Sequence, residues 1–144
     1  MGRAPGAGGG RERQKFYDEL GADLCSRIAI VVRYDSPDEN GETRRQRNQR
    51  FGMADRNPLA EPVPGGDRLE GIFWNLSRFR SSGFNGPEPL QPGAVRDWCA
   101  VTGRPLSRPE IEIIFDMDAA YLDAARRERA EDPNAATDDE EGEA

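Results

Sequence analysis

The chain has 144 residues, 35% hydrophobic and 33% charged, with a mean hydropathy of −0.84, which predicts one domain with a small core. It contains no histidine, and this excludes serine and cysteine triads, histidine-rich zinc sites and imidazole pH sensing. Twenty basic residues face 27 acidic ones, for a net charge of −7. The composition therefore argues against an enzyme, a cofactor or a metal, and for binding or assembly.

The excess charge is local. Residues 131–144 carry seven acids (Glu131, Asp132, Asp138, Asp139, Glu140, Glu141, Glu143) and no base, so 27 − 7 leaves 20 acids against 20 bases in residues 1–130. This acidic stretch has no large apolar side chain to offset the entropy of ordering, and a disordered tail is expected over 129–144. The two cysteines, Cys25 and Cys99, form no C-x-x-C pair. No apolar run nears the roughly 18 residues of a membrane span, and the glycine-rich start lacks the apolar stretch of a signal peptide. A soluble protein of a reducing cytoplasm is the expectation.

Residues 1–10 include five glycines and a proline, which predicts a disordered arm. In residues 11–33 the four-residue recurrence of Phe16, Leu20, Leu24 and Ile28 predicts a helix. Its end, 28–32, is a β-branched run that equally suits a short strand. A lone strand would lack a partner, which favours the helix. Residues 34–65 form a turn-rich linker punctuated by Ser36-Pro37, Asn40-Gly41, Pro58, Pro62 and Pro64. Within it, 43–50 suits two helical turns ending at Gly52. Asn40-Gly41 reads as a plain turn, because charged flanks do not suit a hairpin. Arg44, Arg45, Arg47, Arg50 and Arg56 make the basic stretch that nucleic acid would need. Asp35, Asp38, Glu39 and Glu42 precede it, so a solvated helix face with local ion pairs is favoured over phosphate binding. Asp35, Asp38, Asn40 and Glu42 match a calcium loop poorly, with Arg47 where its closing glutamate belongs.

A compact helical region is predicted over 66–128. Asp67 reads as an N-cap with Glu70 three residues on, and Leu69, Ile72, Phe73, Leu76 and Phe79 fall on one stripe of a helix ending near Ser82-Gly83. Pro92 opens a short helix with Val95, Trp98 and Cys99 inward and Gly103 as its stop. Ser107 and Glu110 form a capping box for the last helix, with Pro109 in its first turn and Leu106 stapling onto Ile111. Its stripe runs through Ile111, Ile114, Phe115, Leu122 and Ala125, widened by Met117 and Tyr121. Asp118 interrupts it and must find donors, most simply at a neighbouring helix N-terminus. Asp116 falls on another face. The fold class is mainly α: a small bundle of three to four short helices with a Pro/Gly-rich linker and disordered termini.

No Walker loop, dinucleotide fingerprint or nucleophile elbow is present, and Cys99 has no histidine to activate it. The informative feature is aromatic. Phe73, Trp74, Phe79, Trp98, Phe115 and Tyr121 are many rings for short helices to bury, and Trp74 lies off its stripe. The candidate partner-binding residues are Phe73, Trp74, Trp98 and Tyr121, with Trp74 foremost.

In order and spacing, Ile72-Phe73-Trp74-Asn75-Leu76, Pro89-Leu90, Asp97-Trp98-Cys99-Ala100-Val101-Thr102-Gly103, Leu106-Ser107-Arg108-Pro109-Glu110-Ile111 and Met117-Asp118-Ala119-Ala120-Tyr121-Leu122 resemble a family of small tail-module proteins of long-tailed, lambda-like phages and prophages. The linker residues 34–42 and 46–50 resemble the segment preceding it. Pro109 departs from the family, where a tryptophan is common. The resemblance implies a non-enzymatic tail assembly chaperone or tail accessory protein in the host cytoplasm. Its implied partner is the tape-measure protein or a tail-tube subunit; no membrane is expected, and nucleic acid is disfavoured by the charge pattern. The alternative from another class is a small nucleic-acid-associated regulator using the arginines between 44 and 56.

Overall fold

A computed structural model describes residues 7–132, apart from the side chains of 7, 8 and 55; of the arm expected at 1–10 and the tail expected at 129–144, residues 1–6 and 133–144 lie outside them, while 7–10 and 129–131 are helical. Helix α1 spans Ala7–Tyr34, α2 Arg44–Arg50, α3 Asp67–Ser77, α4 Pro92–Thr102 and α5 Arg108–Glu131. A hairpin of two-residue strands, β1 (Ser82–Gly83) and β2 (Gly86–Pro87), joins α3 to α4. The fold is mainly α, but its two principal helices are long, with 28 residues in α1 and 24 in α5.

Leu20, Leu24, Ile28 and Val32 bury one stripe of α1, so the β-branched run is helical and the four-residue spacing decides. Phe16, expected on that stripe, is 54% exposed. The helix also starts at Ala7, four residues before the boundary that the glycines suggest. Gly21 faces α5, where an added Cβ would lie 3.4 Å from Ile113 Cγ1, so the missing side chain lets the two helices close up. Further along, Arg33 pairs with Glu128 and Glu131. Both sets of partners ascend together, so α1 and α5 run parallel.

The linker is stapled to the helices by arginine. Arg27 Nε reaches both oxygens of Glu70 at 2.8 Å and its Nη1 donates to the Ala60 carbonyl, tying α1 to α3 and to the loop between. Thr43 caps α2 in a full capping box with Gln46, and Gly52 sits just beyond at φ +74. The turn at Asn40-Gly41 is closed by a single antiparallel bridge, Pro37 to Thr43, with Gly41 at φ +79.

Helix α3 departs from expectation at both ends. Gly66 is its N-cap and makes no side-chain cap bond, while Asp67 and Glu70 supply charge in the first turn. A Cβ on Gly66 would come within 3.1 Å of Val63 Cβ, so glycine lets the loop pack there. The helix stops at Ser77, not near Ser82-Gly83, and Phe79 lies 72% exposed beyond it. Leu69, Ile72, Phe73 and Leu76 are buried as the stripe predicts.

Pro92 opens α4, Gly103 ends it in the left-handed region at φ +67, and Val95 and Trp98 face inward. The Ser107 and Glu110 capping box starts α5 as expected. Its buried arc is Ile113, Ile114, Met117, Asp118 and Ala124, rotated from the predicted stripe, and Ile111, Phe115, Leu122 and Ala125 are only partly covered.

Candidate aromatic and cleft site

Helix α3 points successive residues, Phe73 and Trp74, toward α5, where Tyr121 completes an edge-to-face cluster. Centroids are 5.1 Å apart for Phe73 and Trp74, and 6.1 Å for Tyr121 with each of them. Phe73 has no exposed surface and Trp98 only 9%, so both belong to the core rather than to a contact face. Trp74 and Tyr121 are half-buried, each packed on the core by one side. The rings that do stand in solvent are others: Phe16, Phe51, Phe79 and Phe84, the last 89% exposed. Phe84 escaped notice because it sits in a Gly/Asn-rich turn without helical periodicity.

Arg80 lies over Tyr121, its Cζ 4.5 Å from the ring centroid. Its Nη1 is 2.5 Å from Asp118 Oδ1 and donates to the Glu88 carbonyl at 2.9 Å, while Nη2 donates to Ser77 Oγ. The approach to Oδ1 is off the hydrogen-bond line, and Arg80 Nε has no acceptor, so the contact is chiefly charge against charge. Asp118 Oδ2 accepts from the Leu90 amide at 3.0 Å, two residues before α4 begins. The expected bond toward a neighbouring helix N-terminus is present, and Arg80 is the partner that sequence reasoning missed. Asp116 is exposed on another face.

Tyr121 also lines a cleft of about 700 Å³ between the end of α1, the turn 36–42, α2 and the last turns of α5, with Val32 and Ala125 beside it. The rim is ionic. There Arg44 pairs with Glu128 and Glu131 and Arg47 with Asp38, and beyond the lining, on α2, Arg45 pairs with Asp35 and Arg50 with Glu42. Phosphate would have to compete with carboxylates at these four of the five arginines of the basic stretch, Arg56 being the fifth. The fragment resembling a calcium loop is committed in the same way: Asp38 Oδ1 accepts from the Asn40 and Glu42 amides, and Oδ2 from Arg47. The Glu42 amide first, then Asn40 and Arg47, hold the Asp38 carboxyl below its ordinary value despite some desolvation.

Cys25 is not poised for chemistry. Burial, and then the nearby charge of Asp116, push the Cys25 thiol up and keep it protonated. No described helix is long and apolar enough to cross a membrane.

The segment that carries the aromatic cluster, the hairpin and both of their anchors is also the segment that can be compared with known proteins. Residues 56–123 match the phage tail assembly chaperone family. The match makes that segment, 68 of the 144 residues, similar to the family. It covers α3, the hairpin, α4 and most of α5, leaving α1 and α2 outside the chaperone segment. No curated protein and no solved structure matches the chain.

Proposed function

We propose that this protein is a non-enzymatic chaperone or accessory protein of phage tail assembly, working in the host cytoplasm and holding a segment of the tape-measure protein or a tail-tube subunit until assembly displaces it. The observation that carries the reading is the coincidence of the chaperone match at 56–123 with the Phe73, Trp74 and Tyr121 cluster. Trp74 and Tyr121 are the contact residues: each is fixed on the core side and open on the other, which suits an apolar or amphipathic segment. Phe73 acts behind them by fixing their positions, while Trp98 is a core residue. Charged cleft walls beside Tyr121 favour exchange over permanent burial, as a handover requires.

The test is titration of the purified chain with tape-measure protein and, separately, with tail-tube protein from the same phage. Saturable binding to one of them, weakened by Trp74→Ala or Tyr121→Ala, is expected. Absence of binding to both overturns the reading.

A further inference from the structure

We propose that Arg80 is a positioning residue of the contact site, which sets the Tyr121 ring against Trp74 and so controls the grip on the tail component without touching it. This role rests on the proposed function for what is gripped. The chain after α3 is built inside out. Arg78, Phe79, Ser81 and Ser82 are exposed, Phe79 by 72%, while the Arg80 side chain among them keeps only 5%. Turning Phe79 inward instead would remove apolar surface from water, whereas withdrawing a guanidinium and a carboxylate is costly. Apolar residues of similar volume often hold a fold as well as a buried ion pair does, so stability does not account for a cation here.

A guanidinium can serve several polar groups and a ring at once, which a hydrocarbon cannot. Nη2 donates to Ser77 Oγ at the end of α3, and Nη1 donates to the Glu88 carbonyl and lies 2.5 Å from Asp118 on α5. Cζ stands 4.5 Å from the Tyr121 centroid, one helical turn beyond Asp118. Trp74 is carried by α3 and Tyr121 by α5, so their edge-to-face contact depends on how the two helices sit against each other. Arg68 with Glu110 ties the first turns of these helices, and Arg80 ties them at the level of the rings. Tyr121 is thereby braced by a cation as well as by Phe73 and Trp74, and the surface it has left lines the cleft. A ring fixed before its partner arrives has less freedom to lose on binding.

Replacing charge and countercharge together separates positioning from stability. Arg80→Met with Asp118→Leu strands no charge in the interior, so it should melt near the parent. It should nevertheless bind the tape-measure or tail-tube protein, whichever the parent binds, about tenfold or more weakly. Arg80→Lys keeps the charge but not the planar fork that spans Ser77, Glu88 and Asp118, and should bind about threefold or more weakly. In NMR spectra of the same chains without any partner, cross-relaxation between the Tyr121 and Trp74 rings should be strong in the parent and reduced in both variants. A double variant that binds like the parent overturns the role of Arg80 and leaves the proposed function standing. Weakened binding with the ring contact unchanged overturns it as well. Should the double variant fail to fold, Arg80→Lys decides, and parent-like affinity and ring contact there overturn the role. A parent that binds neither tail protein defeats the proposed function; the ring contact then decides alone whether Arg80 places Tyr121, and an unchanged contact overturns it.

Discussion

Arg80 and Asp118 meet 2.5 Å apart inside the protein, 38 residues apart in sequence, and link the hairpin to α5. Removing one partner strands the other's charge in a place water does not reach. Asp118→Ala should therefore cost about 3–5 kcal/mol in urea denaturation. The double variant Arg80→Met, Asp118→Leu should recover most of that loss. A double variant as unstable as Asp118→Ala would mean that the ion pair itself, and not the uncompensated charge, holds the fold.

Phe73 and Trp74 are neighbours with different work. Phe73→Ala should lower stability by about 3–5 kcal/mol, since the ring is fully enclosed. Trp74→Ala should cost less in stability and more in affinity for the tail component. Denaturation and binding titrations on the same two variants separate these effects, and a reversed order would contradict the assignment.

The start of α5 makes stability depend on acid. Partial desolvation pushes the Glu110 carboxyl up, but the Ser107 amide and hydroxyl and the Arg68 guanidinium together hold it below its ordinary 4.5. A depressed carboxyl contributes stability that is present above 4.5 and lost as pH falls through its lower folded value. The denaturation midpoint should thus fall on acidification below about pH 4.5, and Glu110→Gln should flatten that dependence. Ser107→Ala should cost about 1 kcal/mol at neutral pH.

The arginines of α2 should behave as surface braces. Replacing Arg45, Arg47 and Arg50 by glutamine should cost less than about 1 kcal/mol per pair, most at Arg45, which is 18% exposed and also lies over Tyr34. The parent should show no salt-dependent gel shift with DNA or RNA. A shift abolished by the triple replacement would return the nucleic-acid alternative to consideration.

Local signals that act within one turn were legible at most helix ends, though not at Asp67, where Gly66 is the cap. Ser107 with Glu110, Pro92 and Gly103 all mark helix ends where the structure has them. The inward arc of α5 was not legible, because Ile111, Ile113, Ile114, Phe115, Met117, Tyr121 and Leu122 place apolar groups most of the way round and only α1 and α3 select among them. The end of α3 was hidden for a related reason. Its stripe continues to Phe79, yet the chain leaves the helix at Arg78, and two residues on Arg80 pairs with a carboxylate far along the sequence. Of the four rings expected at a contact face, periodicity could not tell Phe73 and Trp98, enclosed on all sides, from Trp74 and Tyr121.

The parallel course of α1 and α5 has a bearing on how the chain is made. Arg33 waits for Glu128, 95 positions later, so Leu20, Leu24, Ile28 and Val32 leave the ribosome well before their cover is synthesised. Such distant closure slows folding and leaves a greasy strip open to solvent in the meantime. Nascent chains halted before α5 are thus the form most prone to clump.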